Sequence, residues 1–331
     1  MKKIAIFKCD GGYKIGNGHV IRSLILARAL KKKNIKCFFL NMKTNFFLNK
    51  LIKKEFKLLK IKRNSFNEIK KKINRLNPYY FVIDDYKFPL NLEKKISTLV
   101  QKIIVIEDFA NKKHYADLII NQNLNRSKNL YKNKSNCKIL AGVKYTLIDP
   151  SLKKISKNKK KIIKNILICF GGFDGHQMNL KILKYLSCIE RKFNINILIS
   201  RADFYYKKIN SYIKKEKINA KVHLNKNLLE IINTIDFAII SGGNISKEAI
   251  VLNIPSIVIA TAKDQINNCI RYKNLKKIMY LGEWNKVSKE TFIKKFEKIL
   301  LKESNFINQK EKNNFFDFKG SERISKEIIK L

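Results

Sequence analysis

The chain has 331 residues, of which 45% are hydrophobic and 11% aromatic, so it exceeds the usual size of one domain and supplies enough apolar side chains for two cores. This composition excludes a globally disordered chain. The formal net charge of +45 comes mostly from lysines spread along the whole length, which indicates a generally basic surface and not a focused nucleic-acid groove.

The cysteines and the apolar runs indicate the compartment. Six cysteines are scattered without a C-x-x-C pair, which is typical of a reducing environment. The apolar run behind Met1 ends at Cys9, too early for a signal peptide, and no run reaches the ~18 apolar residues that span a bilayer. The sequence therefore predicts a cytoplasmic protein without membrane insertion.

Short apolar runs alternate with longer amphipathic stretches in the first half of the chain. The spacing predicts a helix over 18–33, with Ile21, Leu24, Ile25 and Ala29 on one face. Alternation of this kind predicts a parallel sheet with helices on both faces. The predicted strands are 4–7, 36–40, 80–83, 103–106 and 118–120.

A second strand–helix series begins after a change of composition near residue 150. Asp149-Pro150 indicates a turn, and the Lys-rich and Asn-rich stretch 153–164 predicts a linker. We therefore expect two doubly wound domains, 1–150 and 151–331, with a helix starting within 317–323. The predicted strands of the second series are 165–170, 195–199, 221–224, 237–240 and 256–260.

A glycine-rich loop follows the first predicted strand and leads directly into the first helix. Gly11, Gly12, Gly16 and Gly18 allow positive φ angles, and the helix N-terminus favours an anionic ligand. The spacing does not match G-x-G-x-x-G, which argues against a nicotinamide cofactor. His19 lies in the first helical turn, where the helix dipole favours a neutral imidazole that can act as a general base. A histidine that merely caps or packs is the alternative.

Two further loops in the second half resemble phosphate-binding turns. Residues 241–246, Ser-Gly-Gly-Asn-Ile-Ser, join a strand to a helix, so N–H groups and the hydroxyls of Ser241 and Ser246 can surround a phosphate. Glu248 can accept hydrogen bonds from ribose hydroxyls, although a glutamate that only stabilises the helix dipole is the alternative. Gly171-Gly172 follows a strand too, but such a pair is equally common in an ordinary turn.

The pattern Gly16-x-Gly18-His19-x-x-Arg22-x-x-x-Leu26-Ala27 resembles the N-terminal signature of the UDP-2,4-diacetamido-2,4,6-trideoxy-β-L-altropyranose hydrolases of pseudaminic acid biosynthesis. These enzymes are related to the lipid II-forming N-acetylglucosaminyltransferase. Residues 83–86, 107–108 and 141–148 extend the similarity. The resemblance implies a GT-B type α/β fold of two Rossmann-like doubly wound domains with a cleft between them. It implies that the first domain binds the sugar and the second binds UDP.

The resemblance also implies roles for individual residues. His19 activates water and Tyr86 lies against the sugar beside it, whereas Asp84 is interpreted as a structural acid at the strand end. Adjacent strand residues point to opposite faces, so Asp84 and Asp85 make a poor metal site, and neither metal nor cofactor is expected. The remaining substrate contacts are predicted at Gly16, Gly18, Arg22, Asp85, Gly171, Gly172, Asp174, Ser241, Gly242, Gly243, Asn244, Ser246, Glu248 and Gln265.

The resulting hypothesis is a monomeric enzyme that hydrolyses a UDP-linked diacetamido-trideoxyhexose with inversion, His19 deprotonating the attacking water. One alternative is a GT-B glycosyltransferase, for which 38–40 and 46–48 would supply an apolar patch that docks a lipid acceptor. Core packing explains those runs equally well. A second alternative is a non-enzymatic RNA-binding module built on the basic charge.

Overall fold

The computed structural model divides the chain into two compact units. One contains the described residues up to Pro150 together with 316–331, and the other contains the described residues from Ser151 to Glu303. Each unit has its own sheet. The structure describes residues 2–12, 15–123, 131, 137–155, 162–172, 174–200, 204–226, 228–303 and 316–331.

The first unit is built on a parallel sheet of seven strands in the order β3-β2-β1-β4-β5-β6-β7. The strand order reverses between β1 and β4, and open α/β sheets bind ligands at the carboxyl ends of strands beside such a point. The strands are β1 Ile4–Cys9, β2 Lys36–Asn41, β3 Lys57–Lys60, β4 Tyr80–Asp84, β5 Lys102–Ile106, β6 Leu118–Asn121 and β7 Lys138–Ala141. The helices between them are α1 Gly18–Lys31, α2 Phe46–Lys53, α3 Phe66–Leu76 and α4 Leu90–Ser97.

Alternate residues of each central strand pack into two different cores. In β1, Ala5 and Phe7 face the core that includes α1, whereas Ile6 faces the core that includes α3 and α4. In β4, Val82 faces the α1 side and Ile83 faces the other side. The two-residue period therefore also decides on which side of the sheet each polar residue at a strand end lies.

The second unit repeats this plan with six parallel strands in the order β10-β9-β8-β11-β12-β13, and the order reverses between β8 and β11. Its strands are β8 Asn165–Cys169, β9 Asn194–Ile199, β10 Ala220–Leu224, β11 Phe237–Ser241, β12 Ser256–Ala260 and β13 Met279–Glu283. Its helices are α5 Met178–Leu186, α6 Phe204–Lys215, α7 Asn244–Val251, α8 Lys263–Asn274 and α9 Lys289–Leu301. Short 3-10 helices occupy Leu228–Glu230 and Ile232–Thr234 in this unit, Val143–Tyr145 in the first unit, and Pro150–Lys154 at the division between the two.

The prediction of two doubly wound α/β domains is confirmed. Each strand predicted from an apolar run is present, with ends that differ by at most two residues. The strands that the sequence analysis missed are β3, β7 and β13, and all three lie at sheet edges. An edge strand is partly exposed, so it does not need the continuous apolar run that marks a buried strand.

The C-terminal helix α10, Gly320–Ile329, corrects the predicted domain division. It was assigned with the second domain, but it packs on the first unit, where Ile324 and Ile328 enter the core beside α1. A Cβ atom added to Gly320 would lie 2.0 Å from the carbonyl oxygen of Thr146, so only glycine permits this approach. The helix starts inside the predicted segment 317–323, whereas residues 156–161 of the predicted linker lie outside the described residues.

Among the residues that the structure describes, no helix combines the length and the apolar character needed to cross a membrane.

Candidate functional site

The glycine loop after β1 folds back on itself before α1 begins. The N–H of Gly12 donates to the carbonyl of Gly16 at 2.9 Å, and the N–H of Gly16 donates to the carbonyl of Gly12 at 2.8 Å. Both residues have positive φ angles, 109° and 82°, which favour glycine. A Cβ atom added to Gly11 would lie 2.6 Å from Leu48 Cδ1, so this residue lacks room for a side chain. The closed loop starts α1 at Gly18 and fixes where His19, its second residue, lies.

His19 is hydrogen-bonded to Asp84, the last residue of β4. His19 Nδ1 lies 2.5 Å from Asp84 Oδ1, and the His19 side chain keeps 12% of its surface exposed. Burial alone would raise the pKa of Asp84, but Arg22 and His19 together hold this pKa below its usual value. An ionised carboxylate only accepts hydrogen bonds, so Nδ1 is the donor and Nε2 is the ring nitrogen that can take up a proton.

Arg22 joins Asp84 to a second carboxylate. Its Nε donates to Asp84 Oδ2 at 2.7 Å, and its Nη1 donates to Asp108 Oδ2 at 2.7 Å. Burial lowers the pKa of Arg22, yet Asp108 and Asp84 raise it well above the usual value, so the guanidinium stays charged. Ser23 Oγ adds a donor to Asp84 Oδ2 at 3.2 Å. Arg22 thus holds the acid that orients His19, and its predicted contact with a substrate stays a prediction.

Tyr86 lies against His19 at the same edge of the sheet. The two rings meet edge to face with centroids 4.5 Å apart, and the Phe109 ring also packs against Tyr86, with centroids 5.1 Å apart. The hydroxyl of Tyr86 donates to Asp108 Oδ2. The carboxyl ends of β1, β4 and β5 therefore bring together one connected set of side chains: His19, Asp84, Arg22, Asp108 and Tyr86. We call this set the histidine–carboxylate network.

Asp85 belongs to a different cluster from its neighbour Asp84. Its Oδ2 accepts hydrogen bonds from Lys8 Nζ at 3.2 Å and from Asn64 Nδ2 at 3.3 Å, and its Oδ1 accepts one from the N–H of Lys87 at 2.9 Å. Lys8 is wholly buried and also pairs with Asp10 at 3.0 Å. Asp84 and Asp85 thus bond different partners, as expected for adjacent residues at a strand end. The Asp85 carboxylate already accepts three hydrogen bonds, and its predicted substrate contact stays a prediction.

Sequence reasoning missed two members of the network. Asp84 was interpreted as a structural acid, although its carboxylate orients His19, and Asp108 was given no role at all. A signal was available, because both acids follow apolar runs that end at the same edge of a parallel sheet, one of them beside the strand-order reversal. Which acid pairs with which base depends on side-chain direction, and a single sequence does not give that direction.

In the second unit, the loop between β11 and α7 is held by Gln265. Gln265 Oε1 accepts hydrogen bonds from the N–H of Gly242 at 3.1 Å and from the N–H of Thr261 at 2.9 Å. A Cβ atom added to Gly242 would lie 2.3 Å from Cys269 Sγ, so the loop packs directly on α8. The predicted residues Ser241, Gly242, Gly243 and Gln265 are therefore together at one place.

The N-terminus of α7 has no side-chain cap. Its N-cap is Gly243. A Cβ atom added to Gly243 would lie 3.7 Å from Gln265 Nε2 and 3.9 Å from Ser241 Oγ, so both polar atoms are close to this end of the helix. Helix N–H groups, an amide and a hydroxyl are all suited to an anion. Asn244 is the first residue of this helix. Ser246 is buried, and its hydroxyl donates to the carbonyl of Gly243 at 2.7 Å. Its hydroxyl therefore stabilises the loop, in contrast to the predicted contact with a phosphate.

Glu248 lies on α7 and is partly exposed. At the end of β8, burial raises the pKa of the Cys169 thiol to about 12; the backbone of Gly171 lowers this pKa, and the charges of Glu248 and Asp174 raise it. Because α7 begins directly after β11, Glu248 is near the point where the strand order of the second sheet reverses. This position fits the predicted ribose contact, which stays a prediction.

Asp174 differs from its predicted role as a substrate contact. Its Oδ1 accepts the N–H of Met178 and its Oδ2 accepts the N–H of Asn179, each at 2.8 Å, and Tyr205 donates its hydroxyl to Oδ2. The carboxylate thus occupies the N-terminus of α5 itself. Burial raises the pKa of Asp174 in spite of these donors. Gly171, with a φ of 82°, and Gly172 form the turn before it.

Comparison with known proteins identifies distant relatives, and no family model matches the chain. The chain is 30% identical over 272 residues to the uncharacterized protein MJ1062 of Methanocaldococcus jannaschii. This alignment covers 78% of the chain but only 55% of the length of MJ1062. The spore coat polysaccharide biosynthesis protein SpsG of Bacillus subtilis is 26% identical over 90% of this chain and 88% of its own. The UDP-2,4-diacetamido-2,4,6-trideoxy-beta-L-altropyranose hydrolase of Campylobacter jejuni is 24% identical over 78% of this chain and 92% of its own.

Solved structures decide the fold. The MurG protein of Acinetobacter baumannii matches 99% of this chain and 100% of its own with a TM-score of 0.67 at 12% identity. A co-structure of S. aureus MnaA with UDP matches 99% of this chain and 96% of its own with a TM-score of 0.70 at 15% identity. The chain has a GT-B type fold. At such identities the likeness is one of fold alone, so the GT-B type architecture does not by itself assign a reaction.

Proposed function

We propose that this protein hydrolyses a UDP-linked amino sugar to the free sugar and UDP, with His19 as the general base. Water attacks the anomeric carbon from the face opposite the diphosphate and gives its proton to His19 Nε2. The bond between the anomeric carbon and the diphosphate oxygen breaks, and its electron pair leaves with UDP. The anomeric configuration is therefore inverted.

The contact between His19 and Asp84 carries this proposal. The Nδ1–H donates a hydrogen bond to a buried, ionised carboxylate at 2.5 Å, so the imidazole is held in one tautomer and one orientation. The same arrangement orients the general base in serine hydrolases, where the acid stabilises the imidazolium without taking its proton. Arg22 bonds both oxygens of Asp84, so this carboxylate cannot turn away from the ring.

The charge balance of the network supports a base in particular. Two carboxylates, Asp84 and Asp108, surround one guanidinium, that of Arg22, which leaves one net negative charge close to His19. When His19 takes up a proton, the five-residue set becomes neutral. Charge that develops during the reaction is thus compensated by groups that are already in place, so these groups need no reorganisation as the reaction proceeds.

The second unit supplies the features expected of a UDP site. Backbone N–H groups at the start of α7, the amide of Gln265 and the hydroxyl of Ser241 suit the diphosphate, and Glu248 suits the ribose hydroxyls. The MnaA structure that shares the GT-B type fold was solved with UDP. A leaving group bound in this way departs readily, because its new charge meets donors that are already oriented.

The nature of the sugar is inferred from the relatives. The C. jejuni protein is named as the hydrolase of a UDP-linked 2,4-diacetamido-2,4,6-trideoxyhexose, and the B. subtilis protein as one of spore coat polysaccharide biosynthesis. The N-terminal pattern around His19 resembles the former. We therefore propose a UDP-linked 2,4-diacetamido-2,4,6-trideoxyhexose as substrate, in the synthesis of a nonulosonic acid such as pseudaminic acid.

The test is incubation with a panel of UDP-linked 2,4-diacetamido-2,4,6-trideoxyhexoses in the absence of any acceptor. Proton and phosphorus NMR should show UDP and the free sugar appearing together, and the first-formed anomer should have the inverted configuration. UDP release with retained configuration would remove the single-base mechanism. Absence of UDP release from every member of the panel would overturn the hydrolase.

A glycosyltransferase is the second candidate, and one exposed side chain favours it. Phe46, the first residue of α2, is 81% exposed, as a residue that docks an apolar acceptor would be. Residues 38–40 do not contribute to such a patch, because they lie in β2 and are buried in the two cores. If Phe46→Ser leaves acceptor-free hydrolysis unchanged, this candidate loses its support. Sugar transfer to an added lipid-linked acceptor that depends on Phe46 would establish it.

A further inference from the structure

The direction of one hydrogen bond in the histidine–carboxylate network limits what Tyr86 can offer a ligand. A phenol has one proton to donate and lone pairs to accept with. The Tyr86 proton is directed to Asp108 Oδ2, so the hydroxyl oxygen retains only accepting capacity. The Tyr86 ring meets the ring of His19 edge to face, with centroids 4.5 Å apart, so the Tyr86 side chain and the proposed base are direct neighbours.

Asp108 is held so that it keeps accepting this proton. Its Oδ2 also accepts Arg22 Nη1 at 2.7 Å, and its Oδ1 accepts Asn123 Nδ2 at 3.1 Å. Asn123 Nδ2 contacts the Asp108 backbone carbonyl at 3.0 Å as well, which fixes the residue from a second side. The Asp108 side chain is 9% exposed. A buried carboxylate beside a guanidinium is an acceptor only, and the Tyr86 hydroxyl therefore does not reverse its direction.

We propose that Tyr86 is a specificity residue that accepts a hydrogen bond from the sugar, and that Asp108 is the positioning residue that makes it an acceptor. The group recognised is consequently a donor, an acylamino N–H or a hydroxyl. An ester, ether or keto oxygen of the same shape is rejected, because two acceptors would face each other. This inference rests on the proposed function only for the location of the sugar beside His19.

The expected discrimination follows from the cost of unpaired polar groups. A site built to bond a donor rejects an analogue that lacks it more strongly than an apolar pocket rejects a missing methyl group. Replacement of one acetamido group by acetoxy keeps the shape and removes only the N–H. We expect this change, at one of the two acylated positions of the sugar, to weaken binding to the protein about 10- to 100-fold.

Binding is measured by calorimetry in the His19→Asn background, so that turnover does not consume the ligand. The probes are a UDP-linked 2,4-diacetamido-2,4,6-trideoxyhexose and its two monoacetoxy counterparts. In this background the ratio of dissociation constants should be large for one acetoxy probe, and Tyr86→Phe should reduce it to about twofold or less. A ratio that survives Tyr86→Phe overturns the inference.

A second tyrosine–carboxylate pair of the same unit gives a matched control. The hydroxyl of Tyr131 donates to Glu107 Oε1 at 2.5 Å, and Glu107 is the residue next to Asp108. Tyr131→Phe removes an equivalent hydrogen bond away from His19, and the acetamido-to-acetoxy ratio should stay as it was. An equal fall of the ratio in Tyr131→Phe would overturn the assignment to Tyr86.

Asp108 is tested by the direction of its effect. Asp108→Ala frees the Tyr86 proton to turn toward the ligand, so binding of the acetoxy probe should improve relative to the acetamido probe. Asp108→Asn keeps a carbonyl acceptor and should restore most of the discrimination. If Asp108→Ala weakens both probes equally, the residue is merely structural and the positioning role is refuted. The proposed hydrolysis would still stand, because release of sugar by the unmodified protein tests it separately.

Discussion

The two units place a glycine loop and a helix N-terminus at equivalent points of their sheets, yet they fill these points differently. In the first unit the edge carries buried charged side chains: Asp84 and Arg22 are each 4% exposed or less. In the second unit it carries the backbone N–H groups of α7, with Gln265 and Ser241 beside them. Reaction chemistry needs a side chain with a defined proton, whereas a phosphate is held well by backbone donors.

The comparison teaches that a shared scaffold does not fix the character of a site. A helix N-terminus is available after β1, β8 and β11, but the one after β8 is occupied by the carboxylate of Asp174. The one after β1 presents His19, and the one after β11 has a glycine N-cap without a side-chain hydrogen bond. A capping carboxylate therefore distinguishes the loop after β8 from the loops after β1 and β11.

The largest effect that separates the units is expected from His19→Asn. This change removes the proposed base and keeps a polar side chain, so kcat should fall about 10²–10⁴-fold while UDP affinity stays within about twofold. Steady-state kinetics and UDP calorimetry measure the two quantities. His114→Asn is the matched control, because His114 pairs with Glu93 at 2.9 Å elsewhere in the first unit. Unchanged turnover in His19→Asn would refute the base.

Asp84→Asn should have the next largest effect on kcat. The amide no longer fixes the Nδ1 proton, and Arg22 loses half of its charged partners, so we expect kcat to fall about 10²–10³-fold. A thermal melt of the variant shows how much of this loss is misfolding. Glu93→Gln alters the equivalent carboxylate of the His114 pair and should leave kcat alone. If both carboxamides slow turnover to the same extent, Asp84 has no special role.

Gly242→Ala tests the second unit without touching the first. The added Cβ would meet Cys269 Sγ at 2.3 Å and push the loop away from α8, so UDP should bind at least about tenfold more weakly with kcat little changed at saturation. The double variant Gly242→Ala with Cys269→Ala removes the obstructing sulfur and should recover most of the affinity. Failure of this rescue would mean that the sulfur is not the decisive obstruction, because Gln265 Cβ would still lie 3.0 Å from the added Cβ atom.

The smallest effect is a difference in pH dependence. Because the folded pKa of Asp84 lies below its usual value, the ionised acid stabilises the first unit above about pH 4, and this contribution is lost as pH falls through the folded pKa. Because the folded pKa of Asp174 is raised, the second unit loses stability as pH rises from about 4 toward that pKa. Each slope is at most about 1.4 kcal/mol per pH unit.

Hydrogen exchange at several pH values can resolve the two units, because each amide reports on its own surroundings. Between pH 3 and 5, protection should rise in β4 and fall in α5. Asp84→Asn should remove the first trend and Asp174→Asn the second. Parallel trends in both units would contradict the opposite directions of the two pKa shifts.

Much of the fold was readable from the sequence because buried strands and amphipathic helices impose their own periods. The buried strand Ser256–Ala260 was placed at its observed bounds. The edge strand Met279–Glu283 was missed, since every one of its residues is partly exposed and no apolar run is required there. The C-terminal helix Gly320–Ile329 begins within the predicted segment 317–323, but the sequence did not show the unit on which it packs, because an apolar face can pack on either core.

By itself, the sequence determined that this chain forms two doubly wound domains and that His19 and the loop at 241–243 follow the carboxyl ends of strands. These conclusions depend on local spacing, which a linear chain carries in full. Only the tertiary structure decided that Asp84 rather than Asp85 orients His19, that Asp108 takes the Tyr86 proton, and that Asp174 caps α5. The physical reason is that hydrogen bonds join side chains distant in sequence, and their partners depend on side-chain direction across the sheet.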